Sequence, residues 1–274
     1  MSTHVFHDRP LGREHLQEIA RFGFDTVEIF ATRSHFDYHA PEQIDELSSW
    51  LTETGLTLHS IHAPIVERFV NGTWSGVLSN AVVDEQARQR TVQEAGLALE
   101  IARRIQTGFL VLHLGVPSSQ PSTGDNSREA AKRSIEEIHR LAAPLGVRIA
   151  LEVIPNQLSS ADSLVRLLEE ELDDMDAGIC FDFGHAFMMG DVVDAVETAS
   201  GHLMTTHVHD NDGTLDNHLV PFDGAIDWPA ALTAARKVGY EGALIFEVGA
   251  TAPATIVLER TESVRRRFER ILGE

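Results

Sequence analysis

The sequence predicts a single (β/α)8 barrel, one α/β domain over residues 1–274. Three observations predict it. Short apolar runs rich in β-branched residues alternate with amphipathic helical patterns, and eight such units fit the chain with no linker-like break. No glycine-rich dinucleotide or phosphate-loop motif follows any run, which removes the main support for an open doubly wound sheet.

In chain order, the first strand is read at His4-Val5-Phe6, with a helix over 12–22 that places Leu16, Ile19 and Ala20 on one face. The second strand is 26–30. Pro41 opens the next helix, Ile44, Leu47, Trp50 and Leu51 give it an apolar stripe, and Gly55 ends it. The third strand is 56–62. A connection over 63–79, containing Asn71-Gly72 and Ser75-Gly76, is longer than a linker needs to be and reads as a functional loop. A helix over 82–105 precedes the fourth strand, 109–113, and 117–124 is a turn-rich loop. The remaining units pair helix 128–143 with strand 147–152, helix 160–172 with strand 177–182, helix 192–200 with strand 203–209, and helix 228–238 with strand 243–247. The last helix, 254–272, carries Arg265-Arg266-Arg267, which Glu262 and Glu269 convert into a solvated charged face.

Composition narrows the function. The formal charge is −20, with 22 basic against 42 acidic residues, a field that repels polyanions and argues against a nucleic-acid partner or an anionic membrane surface. No segment has signal-peptide or membrane-spanning character, so the expectation is a soluble cytoplasmic protein. Cys180 is the one cysteine, so no internal disulfide or thiolate zinc finger can form and any metal must rest on N and O ligands.

Barrel enzymes build their sites at the C-terminal ends of strands. Strand two carries Glu28 near its end, and strands three to eight end in His62, His113, Glu152, Asp182, His209 and Glu247. Alternation turns Ser60, Val111, Ala150, Cys180 and Ile245 toward the lumen with these groups, and sends both His207 and His209 to one face. Carboxylates converging on one lumen repel one another and resist ionisation unless a cation neutralises them. A divalent metal answers that, and mixed carboxylate and imidazole ligands admit manganese, zinc, cobalt or magnesium.

The segments Gly23-Phe24-Asp25-Thr26-Val27-Glu28, His62-Ala63-Pro64, His113-Leu114-Gly115, Leu151-Glu152-Val153, Cys180-Phe181-Asp182-Phe183-Gly184-His185-Ala186, His207-Val208-His209-Asp210-Asn211-Asp212, Asp216-Asn217-His218 and Phe246-Glu247 together resemble the xylose isomerase-like barrels. That family includes sugar isomerases, sugar epimerases and endonuclease IV. The resemblance implies that Glu152, Asp182, His209 and Glu247 hold one divalent metal and that His185 binds substrate or a second ion. His62, His113, Asp216 and His218 match positions that complete a trinuclear zinc site in endonuclease IV, so that with His185 they could hold a second or third metal here. Without further metals, His62, His113, His185 and Glu28 would contact substrate.

Two functions compete on that basis: an isomerase or epimerase of a small carbohydrate, and an apurinic/apyrimidinic DNA-repair phosphodiesterase. Where endonuclease IV inserts a tyrosine after the strand-three histidine, this chain has His62-Ala63-Pro64-Ile65-Val66, and its Asp-Arg-His segment reads Asp216-Asn217-His218. Those departures and the acidic charge favour a sugar, and the scarcity of arginine in the mouth loops favours an unphosphorylated one, keto-sugars and inososes included. Glu152 and Glu247, on strands about opposite one another, would exchange the α-proton through an enediolate while His185 polarises a substrate oxygen. Apolar loops around Phe69, Trp74 and Phe187 could close over the ligand or bury a homo-oligomer contact.

Overall fold

The computed structural model describes residues 1–119 and 126–273, so most of the expected 117–124 loop lies outside the described residues. Strands β1 (Thr26–Phe30) and β2 (Thr57–His62) are followed by a hairpin, β3 (Val66–Val70) and β4 (Thr73–Val77). Then come β5 (Phe109–Leu112), β6 (Arg148–Glu152), β7 (Ala177–Asp182), β8 (Leu203–Val208) and β9 (Leu244–Phe246). All but the hairpin form one seven-stranded parallel sheet in sequence order, β1-β2-β5-β6-β7-β8-β9.

The expected first strand at 4–6 is instead a 3-10 helix, Thr3–Phe6, and residues 1 and 2 occupy the eighth place in the ring. The Ser2 N–H donates to the Phe246 carbonyl of β9 (2.8 Å), and the Glu28 N–H of β1 donates to the Met1 carbonyl (3.1 Å). The barrel therefore closes through a single bridge between Ser2 and Glu28. The physical reason is local. Ser2 Oγ accepts from the His4 N–H and starts the helix at once, while Thr3 Oγ1 accepts from the Phe30 N–H (2.9 Å), so pairing stops after one residue.

Helices α1 (Arg13–Arg21), α2 (Pro41–Thr54), α3 (Glu85–Ala98), α4 (Arg128–Ala142) and α5 (Ala161–Glu171) lie between the strands as the periodicity indicates. So do α7 (Val192–Thr198), α8 (Trp228–Lys237) and α9 (Ala254–Leu272). A short helix absent from the sequence reading, α6 (Phe183–Met189), starts where β7 ends. Capping explains most starts: Asp84, Ser127, Ser160, Asp191 and Asp227 each accept a backbone N–H of the first turn, and Gly55, at φ 72°, stops α2.

Strand alternation separates two cores. Ile61, Leu110, Leu112, Leu151, Phe181 and Phe246 pack outward against the helices, whereas Val111, Ala150 and Cys180 form a small apolar plug inside the lumen. Small side chains at that level leave room above them for the polar groups at the strand ends. No helix among the described residues is long and apolar enough to cross a membrane.

One histidine of the loop after β1 couples this fold to pH. His35 is buried, its Nδ1–H donates to the Arg9 carbonyl (2.8 Å), and Nε2 has no partner among the described residues. Burial pushes its imidazole down from 6.5 to about 4. The unfolded chain therefore binds a proton that the native state refuses, and stability falls as pH drops from 6.5 toward 4, by about 3 kcal/mol at most. Urea titrations of the protein and of His35→Gln between pH 7 and 4 should converge by that amount. Parallel curves would contradict the assignment.

Candidate active site

The deepest polar layer lies between β1 and β8. Glu28 is fully buried, accepts from Ser60 Oγ (2.7 Å) and faces His207 Nε2 at 3.0 Å. Burial alone raises a carboxyl; here the His207 charge and hydrogen bond prevail and lower Glu28 to about 2. Glu28 does not line the open cavity where the sequence reading expected it to bind substrate. Its contact is with His207, whose ring it fixes.

His207 turns its other nitrogen upward. Nδ1 lies 3.1 Å from Glu152 Oε1, 3.5 Å from Glu247 Oε2 and 3.9 Å from Asp182 Oδ2. Glu152 is the hub, for His62 Nε2 (3.2 Å), His113 Nε2 (3.1 Å) and His185 Nδ1 (3.4 Å) also approach its carboxylate. Burial opposes its ionisation, but these imidazoles hold it well below the ordinary carboxyl value. Burial likewise opposes charge on His185 and His207, yet the surrounding carboxylates raise both well above 6.5. Carboxylate and imidazole thus favour each other's charged form across this cluster.

They do not supply hydrogen bonds. Both oxygens of Glu152, Asp182 Oδ2, His207 Nδ1 and both nitrogens of His209 are buried without a partner of hydrogen-bonding geometry among the described residues. Orphaned buried polar atoms are costly, and so many at one point indicate a missing common partner. The ligand atoms of Glu152, Asp182, His207 and Glu247 all lie within 4.8 Å of one another, as do those of His62, His113 and Glu152. That donor set fits a divalent cation.

A further group joins His185, His209, Asp216 and His218 above Asp182. Asp182 caps α6 by accepting the His185 N–H (2.6 Å), and Oδ1 also lies 3.0 Å from His209 Nε2. His185 Nδ1 meets the Val153 carbonyl (3.1 Å) and Nε2 meets Asp216 (3.1 Å). His218 stacks on His209, centroids 3.9 Å apart, donates from Nδ1 to the Glu247 carbonyl (2.7 Å), and is raised to about 9 against its burial by Asp216. His209, expected beside Glu152 and Glu247, therefore falls in this second group, and His207 takes its place in the first. Both histidines were legible as inward-facing; nothing in the alternation ranked them.

Gly184 makes room for the His209 ring. A Cβ there would stand 2.1 Å from His209 Cε1, and the ring is clamped between Asp182 and His218. Gly184→Ala should therefore cost about 1–3 kcal/mol of stability and roughly a hundredfold in activity by displacing the imidazole. Activity within twofold of the parent would contradict that packing.

The cavity above the cluster measures about 520 Å³ and takes its walls from His62, His113, His185, Asp216, His218 and Glu247 at the inner end. Glu152 and Asp182 sit beneath that lining. Histidines 4 and 7, not singled out in the sequence, also line it, stacked on each other at 4.7 Å. The 63–79 connection is the β3–β4 hairpin, turned by Asn71 (φ 51°) and Gly72 (φ 76°), and its Trp74 reaches the cavity.

A family model described as xylose isomerase-like TIM barrel matches residues 16–267. An inosose isomerase of Bacillus velezensis is 24% identical over 231 residues, 78% of this chain and 79% of the relative. A crystal structure of a D-tagatose 3-epimerase-like protein superimposes with a TM-score of 0.80 at 23% identity, covering 100% of this chain and 97% of the other. The structure of the IOLI protein with a bound zinc atom gives 0.74 at 18% identity, covering 98% and 95%.

Proposed function

We propose, for a chain that belongs to the xylose isomerase-like TIM barrel family, that it is a divalent-metal-dependent isomerase or epimerase of an uncharged sugar. The observation that carries this reading is the buried set Glu152, Asp182, His207 and Glu247, with both Glu152 oxygens unsatisfied beneath an open cavity of about 520 Å³. The inosose isomerase relative and the zinc-containing structural neighbour support it.

Glu152, Asp182, Glu247 and an imidazole of His207 or His209 would hold the cation, whose chemistry when bound is Lewis acidity toward a carbonyl oxygen and its neighbouring hydroxyl. The protein's own groups do the rest. Glu247, on the cavity wall, would take the proton from the carbon beside the carbonyl, and Glu152, one layer deeper, would return one to it, the proton left on Glu247 passing back to Glu152 between turnovers. β6 and β9, the strands that the sequence sets about opposite one another, lie three places apart in the eight-place ring, and both carboxylates approach His207 Nδ1. His185, on the wall with Asp216 behind Nε2, positions a substrate oxygen. Among the described residues the cavity lining contains no lysine or arginine, which favours an unphosphorylated substrate.

The test is turnover of a ketose and inosose panel in deuterated water by metal-depleted and metal-restored protein, with abasic DNA alongside. Metal-dependent deuterium at the carbon next to the carbonyl, lost in Glu152→Gln and Glu247→Gln, is the expected result. Turnover without solvent deuterium would replace proton transfer by hydride shift. Cleavage of abasic DNA without sugar turnover would replace the whole reading by repair.

A further inference from the structure

The cavity is larger than its reacting end requires. A monosaccharide fills roughly 180 Å³ at protein-interior packing density, about a third of the 520 Å³ available. His62, His113, His185, Asp216, His218 and Glu247 line the cavity's inner end, over the buried carboxylates. The outer part is of a different character, walled by Ile65, Val66, Trp74, Val77 and Val116.

Trp74 is the distinctive member. Its ring packs against Phe69 (4.4 Å), His7 (5.0 Å, 23° between planes) and Phe30 (6.1 Å, 75° between planes), so three rings hold its orientation. It nevertheless stays 40% exposed, and Val77 beside it 55%. Holding a tryptophan in a fixed orientation with open surface toward a cavity leaves apolar area in water that burial would remove at about 25 cal/mol per Å². The hairpin is built to present it: the Phe69 N–H donates to Ser34 Oγ (2.8 Å), and Arg90 pairs with Glu67. A rigid aromatic face at the rim of a polar sugar pocket recognises the flat C–H face of a second ring.

We infer that the reacting sugar is a glycoside with its carbonyl on a ring carbon other than the anomeric one, and that the second, uncharged ring it carries lies on Trp74 at the outer end of the cavity. The inference rests on the sugar reading of the inner end, and it assigns the hairpin to aglycone recognition. The absence of lysine and arginine from the described apolar wall fits a neutral aglycone.

Binding separates this from turnover. Calorimetric titration with methyl β-glucoside, phenyl β-glucoside, cellobiose and glucose 6-phosphate measures the contribution of the second ring without requiring reaction. Phenyl glucoside or cellobiose should bind at least about tenfold more tightly than methyl glucoside, the phosphate not at all, with phenyl preference indicating an aryl aglycone and cellobiose preference a sugar. Trp74→Ala should collapse the ratio toward one and Trp74→Phe should keep most of it. Equal binding of methyl and larger glycosides, or a ratio unchanged in Trp74→Ala, would overturn the inference while leaving any ketose turnover standing. Trp74-dependent glycoside binding without any metal-dependent turnover would instead retain this subsite and remove the isomerase reading.

Discussion

Glu152→Gln should lower kcat/KM on the accepted sugar by roughly a thousandfold or more and remove bound metal, while the protein stays folded. The change keeps size and removes one charge. That charge faces His62, His113, His185 and His207, all within 3.4 Å, and among the described residues no other carboxylate meets all four. Uncompensated imidazoles then lose protons or repel one another, costing about 3 kcal/mol, which a domain of this size can absorb. Steady-state kinetics with metal content by mass spectrometry checks both halves. A variant that retains metal and activity would show that the Glu152 cluster is only structural.

The largest stability effect is expected at a residue that has no chemical role. Asp210 is fully buried and faces no cationic side chain among the described residues; its carboxylate accepts from the N–H groups of Asn211 (2.9 Å), Phe222 (2.8 Å) and Ile226 (3.2 Å) and from Trp228 Nε1 (2.8 Å). Its backbone pairs with Leu219 in both directions. It therefore ties the whole 210–228 segment, which carries Asp216 and His218, to the end of β8. Asp210→Ala strands four donors and should cost about 3–5 kcal/mol, lowering Tm by roughly 10 °C and weakening activity through His218. A Tm within about 2 °C of the parent would contradict that account.

The barrel was legible because its signals are local: apolar runs at period two, helical stripes at three-and-four spacing, and caps such as Pro41 and Gly55. The site was legible because a polar residue terminating a buried strand has no cheap structural reason to be there, and this recurs from His62 to Glu247. What escaped depended on contacts distant in sequence. The closing strand at residues 1 and 2 is visible only through Phe246 and Glu28, and the exchange of His207 for His209 beside Glu152 depends on register between β7 and β8, which shifts at Ile179/Cys180. The β3–β4 hairpin could have been found, since Asn71-Gly72 between two β-rich runs is a two-residue turn signature. Asp210 is different: four converging N–H groups from a loop leave no pattern in the chain.

The central claim is that the buried carboxylate and imidazole cluster exists to hold a divalent cation. Anomalous diffraction from crystals grown with Mn²⁺ tests it most directly. The account expects a strong anomalous peak among the carboxylates of Glu152, Asp182 and Glu247, completed by His207 or His209, and its loss in crystals of Glu152→Gln. Crystals that show no peak there at saturating Mn²⁺, with the Glu152 oxygens hydrogen-bonded to ordered water, would contradict it.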